Sequence, residues 1–108
     1  MPNLTLTQAN TGKTYKVNPG DVIVIQLKEN PTTGYRWAID KSDDAILAFQ
    51  SSDFAVTPGA GIGGGGTRTF TFKADKPGTV HLELKQWRSW VGDSSIIGHY
   101  DVTIQVQN

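Results

Sequence analysis

Apolar and polar residues alternate with a period of two along almost the whole chain, the pattern of a strand buried on one face, because successive strand side chains point to opposite sides. Leu4 and Leu6 alternate with threonine, and Tyr15 and Val17 with lysine. Ile23, Ile25 and Leu27 share one face of their run, with Val22 and Val24 on the other. Tyr35, Trp37 and Ile39 alternate with Arg36 and Ala38, and Phe70 and Phe72 with threonines. Val80, Leu82 and Leu84 alternate with His81 and Glu83, and Tyr100, Val102, Ile104 and Val106 with polar residues. Only 43–49 departs from the pattern, and a helical turn or a short strand is expected there. Turn chemistry punctuates the runs at Asn18-Pro19-Gly20, at Asp75-Lys76-Pro77-Gly78 and in the glycine-rich stretch 58–66. The pattern predicts an all-β fold, an immunoglobulin-like β-sandwich of about seven to eight mostly antiparallel strands. Trp37 follows Ile25 at a spacing like that of the tryptophan packed between the sheets of that fold. With 108 residues the chain reads as one domain, 1–108, able to bury a core without crosslinks.

Chain parity places the connections. If the strands from 22 onward run alternately up and down, 30–34, 58–66 and 86–98 emerge at one end, and the plain turns at 41–44 and 75–78 at the other. Asn30-Pro31-Thr32-Thr33-Gly34 is stiff and uncharged. Pro31 fixes its own φ and pushes Asn30 toward extended backbone, Gly34 permits a positive φ, and both threonines are β-branched. The stretch 58–66 offers backbone N–H and C=O groups that a partner can approach closely. The stretch 86–98 carries Trp87, Arg88, Ser89 and Trp90, and arginine and tryptophan are enriched among interface anchors. Trp87 continues the apolar end of its strand and is expected to complete the core, which leaves Trp90 exposed. A binding surface is expected at this end.

Several chemistries find no support. With no cysteine there is no disulfide, catalytic thiol or thiolate metal site. His81 and His99 are expected on outward faces without nearby carboxylates, so no metal and no cofactor are expected. No G-x-S-x-G elbow frames a serine, and Asp43-Asp44 suits a turn better than a catalytic pair. The glycine run lacks the Lys-Ser/Thr of a phosphate loop and leads into a strand instead of a helix. Ten basic and ten acidic residues give zero net charge, and no basic cluster points to nucleic acid or an anionic membrane. The N-terminus has no basic start followed by an apolar run, so a soluble protein without signal peptide or spanning helix is expected. That expectation leaves the compartment open: cytoplasmic, or secreted or periplasmic if a signal was removed. A monomer is the default.

Taken together, Asn30-Pro31-Thr32-Thr33-Gly34-Tyr35-Arg36-Trp37, then Gly63-Gly64-Gly65-Gly66-Thr67 leading to Phe70-Thr71-Phe72, then Arg88-Ser89-Trp90, resemble the three signature loops of the chagasin family. These are inhibitors of papain-like cysteine proteases with an immunoglobulin-like fold. The first motif matches the family pattern N-P-T-T-G-Y/F-x-W throughout. In the third, Ser89 stands where the family usually places proline, which removes one conformational lock. The resemblance implies a reversible inhibitor, not an enzyme, with papain-like proteases as partners. It implies that Thr32 and Thr33, held by Asn30, Pro31 and Gly34, enter the cleft. It further implies that Gly63, Gly64, Gly65 and Gly66 pair with enzyme backbone, that Arg88 and Trp90 grip the primed side, and that Tyr35 and Trp37 support the tip from the core. Zero net charge then predicts a modest salt dependence of association. The residues alone also leave open a carbohydrate-binding or adhesion sandwich, with Trp90 stacked on a sugar.

Overall fold

Each alternating run forms a strand whose apolar face is buried. The computed structural model describes residues 3–30, 33–56 and 65–108. Its strands are β1 (Asn3–Thr7), β2 (Thr14–Val17), β3 (Val22–Glu29), β4 (Arg36–Lys41), β5 (Leu47–Val56), β6 (Gly66–Ala74), β7 (Gly78–Trp87) and β8 (Gly98–Val106). Short 3-10 turns at Gln8–Asn10 and Asp93–Ser95 interrupt the connections. Two four-stranded sheets result, ordered β1-β3-β6-β5 and β2-β8-β7-β4. The N-terminal strands add in parallel, β1 to β3 and β2 to β8, and the pairings β3–β6, β5–β6, β4–β7 and β7–β8 are antiparallel. The sandwich is therefore mostly antiparallel. Among the described residues no helix is long and apolar enough to cross a membrane.

The inner faces meet in one core. Leu6, Ile23, Ile25, Leu27, Phe70 and Phe72 of the first sheet pack against Leu82, Leu84, Tyr100, Val102 and Ile104 of the second. Side chains this deeply buried each contribute roughly 1.5–3 kcal/mol relative to exposure, so this two-sheet contact is the principal source of stability. Trp37 joins the core, as its spacing from Ile25 predicts, and its indole N–H donates to the Lys28 carbonyl at 2.9 Å. That bond satisfies the one polar atom the ring would otherwise bury unpaired.

Tyr100 is the core residue with a titratable group. Its hydroxyl donates to the Thr7 carbonyl at 3.0 Å. Burial, with smaller contributions from Tyr15 and Asp101, pushes its pKa up to about 12. In the unfolded chain the phenol ionises near 10, so between those values the unfolded state binds fewer protons than the folded one. Stability from this group is complete below about pH 10 and is lost as pH rises toward 12, on the order of 2 kcal/mol. Urea midpoints measured from pH 9 to 11 should fall more steeply for the parent than for Tyr100→Phe; parallel curves would contradict the assignment.

One local expectation is extended and one is corrected. Segment 43–49 holds both a turn and a strand start: the Leu47 N–H donates to the Asp43 carbonyl at 2.8 Å, and Leu47 opens β5, which runs for ten residues instead of a few. Its continuation through Val56 is hidden in the sequence because β5 is an edge strand with a register shift between Phe49 and Ser51 and mostly exposed side chains. Trp87 is not a core residue. It belongs to β7, in phase with His81, Glu83 and Lys85, and is half-buried on the outer face beneath the Lys85 ammonium, 3.6 Å from its ring centroid.

Candidate functional site

Strand register brings the three unusual connections to one pole. Gly66 pairs with both Glu29 and Val56, Arg36 with Trp87, and Gln86 with Gly98. β5 and β6 thus pair as antiparallel neighbours in the first sheet with Val56 and Gly66 at this end, and 88–97 closes a hairpin of the second. β3 ends in the first sheet and β4 begins in the second. The second and third connections are shorter than their sequence boundaries, since Gly66, Gln86, Trp87 and Gly98 lie in strands. Pro31, Thr32, Gly63 and Gly64 lie outside the described residues.

The first connection is fixed at its stems by a group that the sequence reading missed. Glu29, the last residue of β3, is 3% exposed although it is a carboxylate. Its Oε1 accepts the Trp37 backbone N–H at 2.7 Å, and its Oε2 accepts from Arg68 Nη2 at 2.8 Å. Arg68 also lies 5.4 Å from the Phe54 ring centroid, so one guanidinium ties β3 to β5 and β6. The signal in the sequence was a lone glutamate in phase with Ile23, Ile25 and Leu27, at a position where alternation demands burial. A carboxylate is seldom buried unless it is paired.

Beyond that stem the backbone turns on Thr33, whose hydroxyl donates to the Asn30 carbonyl at 2.9 Å and whose N–H donates to the same oxygen at 3.3 Å. Gly34 follows at φ +79°, the left-handed conformation its sequence position anticipates. It has a second reason to be glycine. A Cβ there would come within 2.7 Å of Trp90 Cη2, because the indole lies directly over it.

The third connection is clamped onto the first. Arg88 donates from Nε and Nη2 to the Thr33 carbonyl, at 3.1 and 2.9 Å, and its guanidinium sits 4.2 Å from the Tyr35 ring centroid. Tyr35 is half-buried and acts as the platform for Arg88, while the core-side support comes from Trp37. Ser95 organises the rest of the turn and was also missed. Its hydroxyl accepts from the Arg88 N–H at 2.9 Å and contacts the carbonyls of Gly92 and Arg88 at 2.7 and 3.0 Å. This hydroxyl supplies a lock on the segment that carries Ser89 in place of proline.

Gly66 serves the sheet. A side chain there would strike the Ala55 carbonyl and the Phe54 ring, so its bareness is needed for β5 and β6 to pair. Gly65 lies just outside the strand beside the Glu29 carbonyl.

The pole presents a set of large apolar side chains to solvent. Val56, Trp90, Val91 and Ile97 are 63%, 70%, 51% and 60% exposed, and all four stand at this end. Clustered exposed hydrophobics of this kind mark a contact surface. Both histidines lie on outer strand faces, but His81 does have carboxylates beside it, Glu83 at 3.6 Å and Asp101 at 3.8 Å, contrary to expectation. The cross-strand register puts Asp101 next to Glu83, a neighbour sequence distance does not reveal. Among the described residues no group of three or more His, Asp or Glu side chains is arranged to hold a metal ion.

Known proteins share this architecture and sequence. The profile of the chagasin family of peptidase inhibitors, I42, matches residues 16–104. Chagasin of Trypanosoma cruzi is 30% identical over 93 residues, covering 82% of this chain and 84% of that protein. Amoebiasin-2 of Entamoeba histolytica is 33% identical over 86 residues, covering 79% and 70%. The crystal structure of the cysteine protease inhibitor EhICP2 from Entamoeba histolytica shares the fold at a TM-score of 0.88 with 23% identity, over 97% of this chain and 96% of that one. With the family profile spanning most of its length and the signature loops gathered at one pole of a β-sandwich, the chain belongs to the chagasin family of peptidase inhibitors.

Proposed function

We propose that the protein inhibits papain-like cysteine proteases by seating this pole in the substrate cleft, as a ligand and not as a catalyst. The observation that carries the mechanism is the Arg88 fork on the Thr33 carbonyl. A papain-like thiolate attacks a carbonyl held at near-attack distance and angle. Here the carbonyl beside the tip is held in place by the inhibitor's own guanidinium, and the Thr33 hydroxyl is bonded back to Asn30. The tip fills the cleft and its peptide cannot swing into the attack geometry.

Asn30, Pro31, Thr32, Thr33 and Gly34 form the inserted tip in this reading. Gly63, Gly64 and Gly65 face enzyme backbone on one side of it. Gly66 contributes from within its strand, by ending the connection in a fixed register. Trp90 lies against the opposite wall, and Arg88 holds tip and wall together. Because internal hydrogen bonds of Thr33, Arg88 and Ser95 order the first and third connections, less conformational entropy remains to be lost there on binding, and a standard interface of roughly 800 Å² per partner suffices.

Titrating papain with the protein, while following a fluorogenic peptide, should abolish activity at submicromolar inhibitor, and the recovered chain should be intact after long incubation. Full papain activity at micromolar inhibitor, or a chain cut within 30–34, would overturn the mechanism.

A further inference from the structure

Cations at the pole fall into two groups. Lys85, on the outer face of β7, is neutralised, with its ammonium 3.4 Å from Asp40 and 3.9 Å from Asp93. Arg36 begins β4 level with Trp87 and is exposed. Among the described residues no carboxylate stands within ion-pair distance of it, and the same holds for Arg88. The chain's zero net charge therefore conceals a local positive excess on the flank of the third connection.

Arg36 also lines a concavity. With Gly34, Trp87, Ser89 and Trp90 it borders a shallow depression of about 260 Å³ on that flank. Two indoles offer apolar walls and the guanidinium offers a planar fork of donors, the combination that suits a carboxylate on a short aliphatic stem. A purely apolar or cationic surface pressed against it would desolvate Arg36 without a partner, which is costly.

We propose that Arg36 is a specificity-determining residue: the depression receives an aspartate or glutamate side chain projecting from the cleft wall of the partner protease. The proposal rests on the inhibitory reading of the pole and deepens it, since Gly34 and Trp90 belong to both surfaces. It selects, among papain-like enzymes, those with an acidic side chain on the wall met by the third connection. It also revises the expectation of weak salt dependence. Association with such enzymes is steered locally and slows as salt rises, whatever the net charge.

The test compares the parent, Arg36→Gln and Arg36→Glu against a panel of papain-like proteases of known structure that differ in charge along that wall. For enzymes with a wall carboxylate, Arg36→Glu should raise the inhibition constant by roughly thirtyfold and Arg36→Gln by about fivefold, with both losses shrinking at high salt. Enzymes lacking the carboxylate should change by no more than about twofold, and converting the carboxylate of a responsive enzyme to its amide should erase the difference between parent and Arg36→Gln. Equal potency of Arg36→Glu and parent against every enzyme the parent inhibits would overturn this proposal and leave the inhibitory function standing. So would equal losses on all enzymes regardless of wall charge. A parent that inhibits no member of the panel would overturn both.

Discussion

Arg68→Ala should lower the folding stability by about 3 kcal/mol, seen as a reduced urea midpoint at unchanged slope. The cause is the charge left behind. The Glu29 side chain is 1% exposed and Arg68 is its only ion-pair partner among the described residues, so truncation strands a carboxylate in the core edge. Breaking a buried pair by removing one member costs 3–5 kcal/mol, roughly, and the lower end applies because Arg68 itself is 16% exposed and some water reaches it. Pairing Arg68→Ala with Glu29→Gln should recover at least half of the loss. The neutral amide oxygen can still accept the Trp37 N–H that Oε1 accepts now. Inhibitory potency should follow stability, because Glu29 and Trp37 are the two stems of the inserted connection. A single variant within 1 kcal/mol or so of the parent would show that water, and not Arg68, neutralises the carboxylate.

Trp90→Ala should weaken inhibition by more than tenfold and leave the melting temperature nearly unchanged. The indole is 70% exposed, so little core packing is lost with it. Yet it is fixed in place, lying over Gly34 beside the Arg88 clamp, and a rigid exposed aromatic is the side chain most often found to anchor an interface. The complementary variant is Gly34→Ala, which keeps the indole and dislodges it. The new methyl would need a backbone at φ +79° that alanine disfavours, and would press on Trp90 Cη2. Both substitutions should cost potency, the first through lost contact area and the second through misplacement. An unchanged inhibition constant for Trp90→Ala would remove the third connection from the contact surface.

Much of the scaffold was legible because alternation is a local signal. The inward set Ile23, Ile25 and Leu27, the pair Phe70 and Phe72, and the run from Val102 to Val106 could be assigned from neighbours in sequence alone. Where the signal itself was missing, the environment was not local. Most of β5 is exposed at a sheet edge and shifted in register, so it carries no clean period. Trp87 is the exception: it continues the apolar end of its strand and so reads as core, but alternation itself puts it in phase with His81, Glu83 and Lys85 on the outer face. His81 gained Asp101 as a neighbour only through the pairing of β7 with β8, whereas Glu83, two residues along the same strand, could have been read from alternation.

What the sequence determined by itself was the β-sandwich class, the tip bounded by Pro31 and Gly34, and the convergence of three connections, since period and parity follow from the order of residues. What only the tertiary structure decided was how those connections hold one another. The Arg88 fork spans 55 residues to Thr33, the Arg68 fork spans 39 to Glu29, and the indole of Trp90 closes over Gly34. The reason is physical. Hydrogen bonds and ion pairs between distant side chains depend on sheet register and strand crossing to within a fraction of an ångström, and no local pattern encodes that distance.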